Sequence, residues 1–212
     1  MRLIHVFSAP QSAYFFMNGQ LEYMISKNIF VTLVMPYDDL FNEKIKKRHP
    51  KINIVNVGFE RKISLFDDFK CLVKLIYVIK AINPNIIHLH TPKASLLGAI
   101  AARVLRHKNI IYQMHGLISI NGNRVQKGMV FNLEKLTCFL SNKVFAVSKS
   151  LKKFAIDNNY CKKDKISVIG NGTINGIDFN NQFNRLNIKL NSNINKLRIN
   201  KFVIGFVGRM LK

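Results

Sequence analysis

The chain has 212 residues, 48% of them apolar, enough for one sizeable α/β core or for one such domain and the start of a second. No stretch of about 18 uncharged apolar residues is present to span a bilayer, and Met1 to Phe7 is too short for a secretory signal, so a cytoplasmic protein is expected. Lys and Arg number 33 against 11 Asp and Glu, a formal charge of +22, which calls for an anionic partner; the basic clusters at Lys44–Lys51, Lys149–Lys153 and Lys162–Lys165 carry few aromatics and no RNP, zinc-finger or helix-turn-helix pattern, so nucleic acid is not expected.

In chain order, Leu3–Phe7 reads as a strand, Tyr14–Lys27 has helical period, Phe30–Met35 is a strand and Asp39–Arg48 a basic helix. Ile52–Val57 is the next strand, followed by an amphipathic helix over Leu65–Ile82 that Asn83-Pro84 closes, and then a buried strand at Ile86–His90. Pro92 opens a helix through Arg106, Ile110–Met114 is a strand, and Arg124–Leu140 a helix. Val144–Val147 is a strand, Ser148 caps a helix through Asp157, and Ile166–Ile169 completes the series. Strands separated regularly by helices predict a doubly wound parallel α/β sheet, with its ligand site beyond the carboxyl ends of the strands. From 171 to 200 the composition changes: ten of thirty residues are Asn, with little periodicity, which reads as an extended linker. Phe202–Val207 before Gly208-Arg209 reads as the first strand of another domain. The expected division is therefore 1–170, 171–200 and 201–212.

The cysteines Cys71, Cys138 and Cys161 lack metal-ligand or framework spacing and are expected as buried thiols. The first βα loop, Ser8 to Ser12, runs on to Phe16 through Gln20 without G-x-G-x-x-G spacing, so no dinucleotide cofactor is expected. Gly19 there suggests a tight backbone approach. His88-Leu89-His90-Thr91-Pro92-Lys93 places a strand end, a polar turn and a helix start together. Thr91 is suited to cap, Pro92 to the first turn, and the exposed amides beside Lys93 to a phosphate or sugar hydroxyl. His88 and His90 share one strand face, but two histidines without a third ligand assign no metal. His115-Gly116 ends the next strand, where Gly116 admits a close neighbour and His115 can hydrogen-bond a hydroxyl.

In their order and spacing, Phe16–Gln20, Glu60-Arg61 with Ile63-Ser64 and Asp68, His90–Gly98, His115-Gly116-Leu117, Glu134-Lys135-Leu136, Val147-Ser148 and Asn171–Asp178 resemble glycosyltransferase family 4. The likeness is to its enzymes of capsule, O-antigen and protein-glycan assembly, near the bacillosamine-linked N-acetylgalactosaminyltransferases, and it covers essentially the whole chain. It implies the Rossmann-like N-terminal half of a GT-B fold, with Asn171–Asp178 as its hinge. It also implies a retaining, metal-independent hexosyl or N-acetylhexosaminyl transfer without a cofactor, from a UDP-sugar to an undecaprenyl-diphosphate-linked sugar. By this resemblance His115 is the catalytic candidate beside the donor sugar. Gln11, Ser12, Asn18, Gly19, His90, Thr91 and Gly116 approach the substrates, Lys93 meets an acceptor phosphate, and Arg209 pairs with the donor diphosphate.

Because the family's nucleotide pocket and C-terminal glutamates have no counterpart before Lys212, this chain is expected not to turn over UDP-sugars by itself. A separately encoded C-terminal domain is one completion, and a non-catalytic basic protein binding membrane or nucleic acid is the alternative. A lipid-linked acceptor would bring the protein to the inner face of the cell membrane. Arg124–Leu140, with Val125, Met129, Phe131, Leu133, Leu136 and Leu140 among Arg124, Lys127 and Lys135, is the segment expected to dock there.

Overall fold

The structure is a computed structural model describing residues 1–60, 64–117, 124–176, 178, 180, 183–187 and 204, with the side chains of 124–127 and 185 excepted. Seven strands form one all-parallel sheet in the order β3-β2-β1-β4-β5-β6-β7. They are β1 Arg2–Val6, β2 Phe30–Met35, β3 Asn53–Asn56, β4 Ile86–His90, β5 Ile110–Met114, β6 Lys143–Ala146 and β7 Ile166–Ser167. The helices between them are α1 Pro10–Phe16, α2 Gln20–Ser26, α3 Asp39–Arg48, α4 Leu65–Ile82, α5 Pro92–Val104, α6 Arg124–Leu140 and α7 Lys149–Asp157. This is the doubly wound sheet that the alternation of periods implied.

Side chains alternate across each strand, so the strands feed separate apolar layers. Phe7, Leu33 and Met35 pack with Ala13, Met17 and Ile45 under α1 to α3. Ile4, Val6, Val34, Ile87 and Leu89 face the other way, onto Cys71, Leu75 and Ile79 of α4 and the small residues of α5. Tyr112, Met114, Val144 and Ala146 continue that layer with Cys138 and Ala155 of α6 and α7. Complete burial of each large aliphatic side chain stabilises by about 1.5–3 kcal/mol. Cover on both faces also explains why β1 and β2 read as predominantly apolar runs, interrupted only by His5 and Thr32 inside the sheet. Gly98 of α5 lets that helix sit on β4, since a Cβ there would lie 2.5 Å from Leu89 Cδ2.

The helix boundaries follow local chemistry. Asp38 accepts from Phe41 N, and Ser148 from Leu151 N, at 3.0 Å each. Ser64 caps α4 while Asp68 returns a bond to Ser64 N, a reciprocal pairing of the capping-box kind. Asn83, at φ 46°, ends α4 in the left-handed conformation before Pro84. The expected single helix over 14–27 is two helices, because Gly19 turns the chain with φ 77°. No atom comes within 4 Å of a Cβ built on Gly19, so it serves backbone conformation rather than a close approach. The two edge strands, β3 and β7, are shorter than their apolar runs; each finds a ladder partner on one side only.

The chain divides into two units, Met1–Asn175 and Gly176–Lys212. Residues 171–175, expected within the linker, belong to the first unit: Thr173 N donates to Val147 O at 2.6 Å and Gln20 Nε2 to Ile174 O at 3.0 Å. The second unit contains a 3-10 turn at Arg185–Asn187. The expected strand at 202–207, Ile204 apart, and Arg209 lie outside the described residues. Among the described residues no helix is long and apolar enough to cross a membrane.

Candidate functional site

The winding of the sheet reverses between β1 and β4, which are neighbours, and the crevice of a doubly wound fold opens beyond their carboxyl ends. Ser8 follows β1 there, His90-Thr91 ends β4, and His115-Gly116 follows the adjacent β5. The three segments touch. Ser8 N and Ser8 Oγ both donate to Thr91 Oγ1, at 2.9 and 2.8 Å, and Phe16 of α1 stacks on the His115 ring at 4.3 Å between centroids.

Thr91 does not cap α5 as its sequence position suggested: its side chain makes no cap bond, turning to Ser8 and to the His90 carbonyl instead. Its backbone is held at φ 64°, ψ 140°, a region that a β-branched residue rarely occupies and that costs about 1–3 kcal/mol. Pro92 opens the helix as expected.

Behind this turn lies a histidine cluster of which the sequence showed only part. His5 of β1 is in register with His88 of β4, and His90 lies two residues further along the same face. The His5, His88 and His90 ring nitrogens lie within 4.8 Å of one another. His5 Nδ1 bonds His90 Nε2 at 3.0 Å, and His90 Nδ1 bonds His115 Nε2 at 3.2 Å. Phe7 lies flat on His90, at 4.2 Å and 11°. Burial holds all four imidazoles neutral: His88 and His115 are lowered to about 4, and His5 and His90 well below the usual histidine range, with neighbouring imidazoles adding to the shift in His5, His88 and His90. His5 is thus the third imidazole that the 88/90 pair lacked. A transition metal about 2.0–2.1 Å from each nitrogen would have to displace the His5–His90 hydrogen bond that occupies the cluster.

The other candidates are placed as follows. Gln11 and Ser12 belong to the first turn of α1 rather than to a loop, and Gln11 is exposed. Asn18 accepts from Arg48 at 2.8 Å. Asn18 and Gly19 line a cavity of about 440 Å³ with Gln20, Tyr23, Ile174 and Asn175. Lys93 forms an ion pair with Asp68 and donates to Glu60 O, both at 2.6 Å, so α5 is tied to the start of α4. Gly116 is exposed, with no atom within 4 Å of a built Cβ.

Sequence reasoning missed His5, hidden in an apolar strand, and gave Gln20 no role beyond its place in a motif; its amide also donates to Asn175 Oδ1 at 2.8 Å. It also left Glu134 without a role. That carboxylate is buried, accepts from Tyr112 Oη at 2.7 Å and is pushed up to about 7 by burial. Larger cavities of about 610 and 570 Å³ lie at the opposite edge, beside the amino ends of β1 to β3 and of β7.

In a doubly wound sheet the crevice at this switch point is where ligands bind. Residues 20–174 match the family described as Glycosyltransferase Family 4, and the chain belongs to that family. It is 35% identical over 196 residues to the capsular polysaccharide biosynthesis glycosyltransferase CapM of Staphylococcus aureus, covering 92% of this chain and 50% of that protein. It is 30% identical to the Escherichia coli UDP-Gal:alpha-D-GlcNAc-diphosphoundecaprenol alpha-1,3-galactosyltransferase, covering 71% of this chain and 38% of the relative. The chain thus spans half or less of the length of these relatives. Among solved structures, Anabaena Alr3699/HepE in complex with UDP superposes with a TM-score of 0.63 at 19% identity, covering 94% of this chain and 50% of that one. A UDP-N-acetylglucosamine 2-epimerase reaches 0.64 at 21% identity, covering 81% and 48%. At these identities the structural likeness establishes the fold.

Proposed function

We propose that this chain supplies the acceptor side of a transferase that moves a hexosyl or N-acetylhexosaminyl group from a UDP-sugar to a polyprenyl-diphosphate-linked glycan in surface polysaccharide assembly. The observation that carries the reading is the meeting of Ser8 with Thr91 and of His90 with His115 at the switch point of the sheet, in a chain that belongs to this family. The two curated relatives support the substrate class, one being named for capsule synthesis and the other for a UDP-galactose donor and a diphosphoundecaprenol acceptor. The family match speaks against the alternative of a basic protein without sugar chemistry.

In this reading the rings of His115 and Phe16 face the donor sugar, and Gly116 leaves room beside them. Gln11, Ser12, Asn18 and Gly19 contact substrate hydroxyls. Lys93, held by Asp68, directs charge toward the acceptor phosphate, and Arg209 pairs with the donor diphosphate. Cationic side chains then neutralise the departing diphosphate without a metal.

The lipid-linked acceptor places the protein at the inner membrane face. On α6, Met129, Leu136 and Phe139 are exposed while Glu134, Thr137 and Cys138 are buried. Lys135 and Lys165 flank the exposed stripe and lie over the rings of Phe131 and Phe139. An apolar stripe edged by lysines suits an anionic leaflet.

The test is titration of the ¹⁵N-labelled chain with a short-chain prenyl-diphosphate N-acetylhexosamine. Saturable shifts at residues 8–12, 91–93 and 115–116 are expected. Binding confined to α6 and α7, or none, refutes the acceptor assignment.

A further inference from the structure

The described residues place three imidazoles in one hydrogen-bonded file running from the sheet interior to the crevice: His5 Nδ1 to His90 Nε2 at 3.0 Å, and His90 Nδ1 to His115 Nε2 at 3.2 Å. Each ring orientation is held. His90 is sandwiched by the Phe7 stack and its neighbours, and His115 by Phe16. A neutral imidazole carries one N–H and one bare nitrogen, so a file of neutral rings must point all its protons the same way. Choosing the direction at one end chooses it at the other.

The inner end decides. His5 Nε2 is buried and without a partner, and it must be either an unpaired N–H or an unused lone pair. Orphaned buried N–H groups are the rarer defect in folded proteins, which puts the His5 proton on Nδ1. His5 Nδ1–H then donates to His90 Nε2, and His90 Nδ1–H donates to His115 Nε2. The remaining His115 proton is left on Nδ1, which has no hydrogen-bond partner among the described residues.

We propose that His5 and His90 are positioning residues that lock His115 into the Nδ1–H tautomer, so that His115 meets its ligand as a hydrogen-bond donor to oxygen and not as a proton acceptor. This deepens the transferase reading above, on which the identity of that ligand rests; the tautomer itself follows from the protein's own geometry. A donor at this place suits a sugar hydroxyl oxygen or an oxygen gaining negative charge as the donor bond breaks. A general base would need the bare nitrogen outward. His88 lies beside the file, 4.2 Å from His90 between ring centroids, but makes none of its hydrogen bonds.

The protonation state of each ring nitrogen is read by long-range ¹H–¹⁵N correlation on the uniformly labelled chain, at a pH where the imidazoles are neutral. The expected pattern is a single His115 tautomer with Nδ1 protonated. His90→Phe, which keeps the stack on Phe7 and removes both nitrogens, should lose that single pattern and give a mixture or the Nε2–H form. His88→Phe should leave the His115 pattern unchanged. A wild-type His115 carrying its proton on Nε2 overturns the proposal, and this measurement needs no variant. An unchanged His115 pattern in a folded His90→Phe protein overturns it equally. Neither outcome depends on sugar transfer, so failure of the tautomer lock and failure of the transferase reading are distinguishable.

Discussion

Thr91 combines an unfavourable backbone with two bonds from Ser8, and the two contributions can be separated by substitution. Thr91→Ala keeps the positive φ and loses the hydroxyl, at a cost of about 1–2 kcal/mol. Thr91→Gly loses the same bonds but removes the strain, so it should be more stable than the Ala variant by about 1 kcal/mol in urea denaturation. An Ala variant as stable as the Gly variant would show that the φ at this turn carries no strain. Glu134 offers a second test. Its folded pKa of about 7 lies above the ordinary 4.5, so between those values the folded chain binds more protons. The contribution is complete below pH 4.5 and is lost as pH rises through 7. Glu134→Gln should therefore gain stability relative to wild type on going from about pH 5 to about pH 8, by up to about 3 kcal/mol. A difference in melting temperature that does not change with pH would refute this. The sign is opposite for His88 and His115. Their folded values of about 4 lie below the ordinary 6.5, so their contribution is present above pH 6.5 and lost as pH falls through 4.

At the scale of elements, the segment after β7 shows how a turn is anchored. Gly172 has φ 104°, and a Cβ there would stand 2.6 Å from Val147 O, the same carbonyl that accepts from Thr173 N. The obstruction is backbone at the end of β6 and cannot rotate away. Gly172→Ala should cost about 2–3 kcal/mol through conformation and overlap together, read as a lowered melting temperature. Gly170→Ala, with φ 57° but open space, should cost less. Equal effects at the two positions would rule out the close approach to Val147. α6 illustrates a different point. Its periodicity suggested one apolar face, yet Glu134, Thr137 and Cys138 are buried while Leu136 and Phe139 are exposed. Oε2 of the buried Glu134 accepts from Tyr112 across the layer while Oε1 has no partner among the described residues, and Tyr112 lies 22 residues away, a pairing that no helical period can reveal.

For the whole molecule, the charge of +22 makes attraction to an anionic leaflet a salt-dependent property. Co-sedimentation with anionic vesicles should fall steeply as salt is raised, and neutral vesicles should bind weakly. If α6 is the docking face, Leu136→Ser with Phe139→Ser should reduce anionic-vesicle binding by at least about tenfold, because each inserted side chain contributes about 1.5–3 kcal/mol. Unchanged binding would move the docking face elsewhere.

The alternation of apolar runs with helical periods determined the parallel sheet, most element boundaries and the candidate turns at Thr91 and His115, because local periodicity and cap chemistry are written within a few residues. The family was legible from motif order for the same reason. The break of 14–27 into two helices hinged on the φ of Gly19, which the residue type permits and only packing selects. The shortening of β3 and β7 followed from their edge positions. The docking of 171–175 and the pairing of Lys93 with Asp68 depend on segments distant in the chain. The histidine file is the clearest case. His5 and His115 are 110 positions apart, and only the parallel register of β1 against β4, with β5 alongside, brings their rings to His90. Which nitrogen His115 turns outward is therefore a property of tertiary structure, set by a hydrogen-bond partner that the sequence places in another strand.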